Sequence, residues 1–301
     1  MIAQQLQKID KFALGIIQNS PFTNVYGTAR SILALGTCLT LIVNPVEHLF
    51  FASSLARMGN TSGLFTISLF TVLANHLELA RMLAIMSLLL VISGYRPRLT
   101  GILHWYITFS FYADCSDIDG GDHLANVLSF LLIPICLTDN RTWHWQPTNS
   151  VVVRELPNLI AWIVGLVLRI QVCMIYFQAG IGKIPVEEWA NGTAFYYWFT
   201  HHYHGADTWL KNLLLPILQT SWGVVSITWG TIIFEIFLFL AIVMPKNDKR
   251  RHYLLISGLI FHISIILVHG LVSFFFSMAA ALILYLRPLD KPFNFKISLR
   301  T

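Results

Sequence analysis

Residues 252–286 read HYLLISGLIFHISIILVHGLVSFFFSMAAALILYL, thirty-five residues without a single Asp, Glu, Lys or Arg. As one helix this run would extend ~52 Å at ~1.5 Å per residue, well beyond the ~30 Å hydrocarbon core of a bilayer. It therefore predicts two crossings, 252–268 and 272–287, with the turn at His269-Gly270. The same ruler, ~20 apolar residues per span, marks further spans at 28–45, 77–95, 99–113, 123–138, 156–181 and 217–244. The stretch 64–74 is too short to cross and reads as a re-entrant or interfacial segment. Ile2, Leu6, Ile9, Phe12 and Ile16 recur at helical spacing with Lys8 and Lys11 between them, so 1–20 predicts an amphipathic helix lying on the membrane surface. The expected fold class is all-α: a polytopic transmembrane bundle of about eight spans, forming a single domain over 1–301 without internal repeats.

Composition leads to the same class. Hydrophobic residues make up 55% of the 301 and charged residues 12%, with a mean hydropathy of +0.64. A soluble domain carries roughly 25% charged residues, so soluble enzyme folds, disordered chains and coiled coils are excluded. Cys38, Cys115, Cys136 and Cys173 have neither zinc-site nor disulfide-framework spacing and read as small buried hydrophobes. Fifteen of the 20 Lys and Arg fall on the side of the termini, four (Arg57, Arg81, Lys183, Lys211) on the other, and Arg169 inside the fifth span. By the positive-inside rule both termini are cytoplasmic. Because the basic residues follow the loops instead of one soluble face, the partner they indicate is the lipid bilayer, and nucleic acid is excluded.

Ionisable side chains in hydrocarbon cost roughly 2.5–3.5 kcal/mol each, so each one inside a span needs a partner or a task. Glu235 in the sixth span requires a protonated carboxyl or a cation, and Arg169 is the cation expected to pair with it. Lys183, at the external end of the fifth span, reads either as a snorkelling anchor or as a base. His262 in the seventh span reads as a helix-bridging hydrogen-bonder or as part of a site. His123 follows the acidic stretch 114–122, whose four aspartates are expected to form a solvated turn and not a calcium loop. The run His201-His202-Tyr203-His204 suggests a metal tract, but adjacent residues cannot all face one ion, and no metal site is expected.

The stretch Tyr176-Phe177-Gln178-Ala179-Gly180-Ile181-Gly182-Lys183-Ile184, followed by Trp189 and Gly192, resembles the Y-x-x-A-G-x-x-K-L…W…G pattern of the HTTM domain. That domain is the membrane portion of vitamin K-dependent gamma-carboxylase. Gly121-Asp122-His123-Leu124 is similar to the family's N-H segment and Phe261-His262 to its late F-H helix. The opening Ser20-Pro21-Phe22-Thr23-Asn24-Val25-Tyr26-Gly27-Thr28-Ala29-Arg30-Ser31 resembles that of bacterial SdpB proteins, the HTTM members encoded with SDP-type peptide toxins.

The resemblance implies a bacterial inner-membrane protein required for maturation of a secreted antimicrobial peptide. It further implies a reduced quinone of the vitamin K hydroquinone type as cofactor, Lys183 as the base on it, His123 assisting and His262 as a further site residue, to which Glu235 is added by its place inside a span. The carboxylase grips its substrate through a large lumenal domain. Here a small accessory protein of the SdpA type is implied in its place, with an SdpC-like toxin precursor as substrate. A membrane conduit or an immunity scaffold for the peptide is the alternative. Both Lys183 and His123 fall on the external side in the charge-derived topology, which corresponds to the lumenal face on which the carboxylase acts.

The topology is checked by cysteine labelling in intact cells. Cysteines replacing Ser116 and Asn212 should react with a membrane-impermeant maleimide and one replacing Asn247 should not; labelling at Asn247 alone would reverse the orientation.

Overall fold

The computed structural model describes residues 15, 18–51, 62–147 and 154–294. Almost all of the expected surface helix 1–20 lies outside the described residues. Among the described residues eight long helices follow in chain order: α1 (Asn24–Val43), α2 (Leu77–Ser93), α3 (Pro97–Asp114), α4 (Gly120–Thr138), α5 (Glu155–Ile181), α6 (Ser221–Leu240), α7 (Arg250–His269) and α8 (Val272–Leu286). Among the described residues the only strand-like pairing is the single bridge Tyr95–Trp143. The chain is thus a polytopic helical bundle.

Among the described residues six helical stretches are long and apolar enough to cross a bilayer: α1, α2 with the turn that leads into it (Ala74–Ser93), α4, α5, α6 with the turn that ends it (Ser221–Val243) and α7. At 15 residues α8 is ~22 Å long, shorter than the hydrocarbon core. Its position explains how it can be short: it packs against α1, α4, α5 and α7, and every residue from Ser277 to Leu286 is buried. A helix apolar on all sides is a core helix, and α8 is the axis around which the bundle closes. The break before it falls at Gly270, where the chain turns with φ 71°. The expected span 217–244 divides differently: a separate helix, Thr208–Leu218, ends first, and Thr220 starts α6 by accepting a hydrogen bond from the Gly223 amide at 3.2 Å. The stretch 64–74 forms only short turns, Gly63–Ile67, Leu69–Val72 and Ala74–His76, none long enough to cross.

Helix faces follow the 3.6-residue period. On α2, Ala80, Ala84, Leu88 and Val91 are buried in one cluster with Ala34, Cys38 and Leu41 of α1. Leu79, Met82, Leu83, Met86, Leu89 and Leu90 are exposed on the other side. An exposed apolar stripe of this length is the lipid-facing surface of a membrane helix.

The polar groups that remain close the helix ends. The first turn of α7 carries Arg251, only 4% exposed. Its guanidinium donates to the carbonyls of Leu286 (3.0 Å), Tyr285 (2.5 Å), Ala241 (2.9 Å) and Met244 (3.3 Å). Those of Tyr285 and Leu286 end α8, lack intrahelical partners and carry the negative end of its dipole, while Ala241, which also accepts from the Met244 amide, and Met244 belong to the turn after α6. One cation therefore ties three chain segments together. At the opposite end, Asp119 and Asp122 form a capping box on α4, and Asp114 accepts from Ser68 and Thr71, holding the 69–72 turn against α3. Asp114 and Asp122 are buried, so the expected solvated turn is a set of caps instead. The carboxylates neutralise orphan donors that water cannot reach.

Arg251→Ala should leave those carbonyls unsatisfied and lower stability by about 3 kcal/mol. The readout is the melting temperature of the purified protein in detergent, with partial recovery in Arg251→Lys; an unchanged melting temperature would show that the clasp contributes nothing.

Candidate functional site

Tyr176, Gly180 and Lys183 stand at i, i+4 and i+7, along one face of α5 and its C-terminal continuation. Gly180 is where α5 meets α6 most closely. A Cβ placed there would lie 3.1 Å from Ile236 Cγ1, 3.3 Å from the Ile236 nitrogen and 3.4 Å from Glu235 Cβ. This absence of a side chain brings the two backbones together one turn before the lysine. Lys183 Nζ then donates to both oxygens of Glu235, at 2.6 and 2.5 Å, and lies 4.9 Å from the centre of the Trp189 ring. Side-chain exposure is 22% for the lysine and 8% for the glutamate. Trp189 is held in turn by Gly192, whose φ of 84° only glycine adopts readily and which packs against Val225 of α6. The A-G-x-x-K…W…G spacing thus encodes a close helix crossing, the ion pair behind it and an aromatic wall over it.

The expected partner of Glu235 was Arg169, and the geometry corrects that expectation. Glu235 pairs with Lys183, while Arg169 lies toward Tyr285 and Arg251 and its Nε has no hydrogen-bond partner. The lysine is accordingly no bare desolvated amine: the carboxylate compensates its charge.

Two cavities meet at this pair. The larger, about 470 Å³, is lined by Lys183, Glu235, Trp189, Phe195, Trp198 and Phe274 among others. The smaller, about 320 Å³, is lined by Glu235, His262, His123, Tyr176 and Gln171 together with apolar side chains. Glu235, Phe261, Ile265 and Phe274 border both. The four singled-out residues therefore come together around one divided space, with Glu235 in the dividing wall. Lys183 and His123 sit in different compartments and do not touch. His123 is exposed at the mouth of the smaller one, stacked on Tyr112 with ring centres 5.1 Å apart. His262 is 2% exposed; its Nε2 is 3.0 Å from the Tyr176 hydroxyl and its Nδ1 is buried without a partner. A mostly apolar cavity of this size with a few convergent polar groups is the usual form of a small-molecule site.

Sequence reasoning missed Tyr176, Gln171 and the aromatic wall. Tyr176 was legible as the i−7 neighbour of Lys183, whereas Phe195 and Trp198, at i and i+3 on the short helix Ala194–Thr200, meet Phe274 of α8 only in the tertiary fold. The histidine run lies elsewhere. His201 Nδ1 accepts from the amides of Tyr203 (3.2 Å) and His204 (3.1 Å), and the His204 carbonyl contacts His269 Nδ1 at 2.6 Å. These histidines fold the loop 182–216 onto the end of α7.

Known proteins place the whole chain. Residues 30–289 match the HTTM domain. The chain is 40% identical to the Bacillus subtilis protein named "Uncharacterized protein YitO", over 92% of this chain and 90% of that one. It is 36% identical to the sporulation-delaying protein SdpB of Bacillus subtilis, over 90% of this chain and 84% of that one. No solved structure matches it significantly. With the helical bundle, the apolar lipid-facing stripes and these matches over nearly its full length, the chain belongs to the HTTM-domain family of multi-pass membrane proteins, as a member of its SdpB branch.

Proposed function

We infer that this protein takes part in producing a secreted SDP-type peptide toxin and acts chemically on the toxin precursor at the external membrane face. One observation carries the reading: Lys183 faces an aromatic cavity while its partner Glu235 stands in the wall between that cavity and the one bearing His123 and His262. An ion pair needed only for packing has no reason to border two cavities. The relationship to SdpB supports the toxin context, and the charge asymmetry of the loops supports a bacterial inner-membrane location with both termini cytoplasmic. An accessory protein of the SdpA type and an SdpC-like precursor are the partners of this reading.

The pair holds a labile proton between a nitrogen and a carboxylate. Shifting that proton to Glu235 leaves Lys183 a free amine, which can accept a proton from a hydroxyl bound in the larger cavity. Lys183 is then the base, and Glu235 the group that takes up and returns its proton. Trp189, over the ammonium, excludes water from the exchange. The aromatic walls and the proton-accepting pair fit the flat, hydroxyl-bearing ring of a reduced quinone, which when bound and oxidised by dioxygen would supply the strong base that a carboxylase-like modification needs to remove a C–H proton before carbon dioxide adds. His262, fixed by Tyr176, and His123 at the mouth line the compartment into which a precursor side chain would enter.

An arginine also snorkels and pairs with glutamate, but it stays protonated and accepts no proton. Lys183→Arg, which keeps a cation beside Glu235, should therefore insert and accumulate normally while maturation falls at least ~100-fold, the usual scale of acid–base catalysis. Mass spectrometry of the secreted peptide is the check. A mature peptide at wild-type level from Lys183→Arg cells would contradict the base role; unchanged mass with reduced export would indicate a conduit.

A further inference from the structure

A third cavity, of about 160 Å³, opens at the opposite end of the bundle, between the α6–α7 turn and the end of α8. Lys246, Lys249, Arg251, Arg287 and Lys291 line it, against one carboxylate, Asp248. That carboxylate is engaged by Arg250 at 2.6 Å, and Lys246 by Asp290 at 2.7 Å. Lys249, Arg287 and Lys291 have no carboxylate within ion-pair reach among the described residues. The Arg287 Nε is also buried without a hydrogen-bond partner, while the group itself lies 4.7 Å over the Phe293 ring. The first turn of the 20-residue α7 adds the positive end of its dipole.

A cluster of uncompensated cations around a cavity of this size calls for a compact anion. Its depth decides which one. Arg250 begins a membrane-crossing helix, so the cavity lies at the headgroup level, and the surface that continues from it is apolar: His252 lines the cavity, and at i+4 and i+11 on the same side of α7 Ile256 is 44% and Ile263 43% exposed. A free phosphate would use the cations alone, whereas a lipid would use both the cations and the adjoining apolar face. The geometry points to a binding site for the phosphodiester headgroup of an anionic phospholipid, with its acyl chains laid along α7. Arg251 joins this site to the clasp on α8, so headgroup binding reinforces the closure of the bundle at that end.

The test adds dioleoylphosphatidylglycerol or dioleoylphosphatidylcholine to the purified protein in neutral detergent and counts retained lipid by native mass spectrometry. Phosphatidylglycerol should be retained in preference. Lys249→Gln and Lys291→Gln, at exposed positions that leave the fold intact, should each weaken that retention roughly five-fold. Lys211→Gln, a cation outside the cavity, should not. Equal retention of the two lipids, or an effect of Lys211→Gln as large as that of Lys249→Gln, would overturn the site. Displacement of bound lipid by inorganic phosphate would make it a free-phosphate site and overturn the lipid assignment.

Discussion

Two opposite charges inside an apolar bundle constrain everything around them. Neither Lys183 nor Glu235 can be accommodated alone without a cost of several kcal/mol, and each is satisfied only if α5 and α6 sit in one register and at one separation. Gly180 makes the separation possible, and a single methyl group at that position would meet the backbone of Ile236. The same crossing sets where Tyr176 lies on α5, and so where it meets His262 on α7. Three helices are thus fixed relative to one another by polar contacts that also line the two cavities. Structure and chemistry share the same atoms here.

The ends of the bundle obey a complementary rule. A short buried helix such as α8 ends inside protein, not in water, and its last carbonyls need donors that solvent cannot supply. Arg251 provides them from α7, and the capping box of Asp119 and Asp122 does the equivalent for the amides at the start of α4. Positive charge accumulates at the Arg251 end beyond what its carboxylates neutralise. The ion pair and its cavities lie deeper, with Glu235 inside the membrane-crossing α6.

Much of this was legible in the sequence because it depends on local rules. Span positions follow from apolar length, the α7–α8 break from His269-Gly270, and the alignment of Tyr176, Gly180 and Lys183 from helical period. What could not be read was the register between helices. Arg169 and Glu235 both lie in spans, and nothing in spacing alone says that Arg169 turns toward Tyr285 and Arg251. The division of 217–244 was hidden for a related reason: Thr220 caps a helix inside an apolar run, and hydropathy does not register a cap. The buried aspartates misled because a polar loop is ordinarily solvated, whereas these side chains fold back onto helix termini. The aromatic wall joins Trp189, Phe195 and Trp198 of one external loop to Phe274 of α8, a distant residue that only the tertiary fold brings to them.

The interdependence of Lys183 and Glu235 is open to direct measurement by a double-mutant cycle on thermal stability in detergent, using Lys183→Met, Glu235→Gln and the pair. If each charge is accommodated by the other, either single change strands its partner and the double variant recovers a large part of the loss, with a coupling of about 2 kcal/mol or more. Losses that simply add would mean that the two side chains are satisfied independently, and the ion pair would then not be the contact that sets the register of α5 on α6.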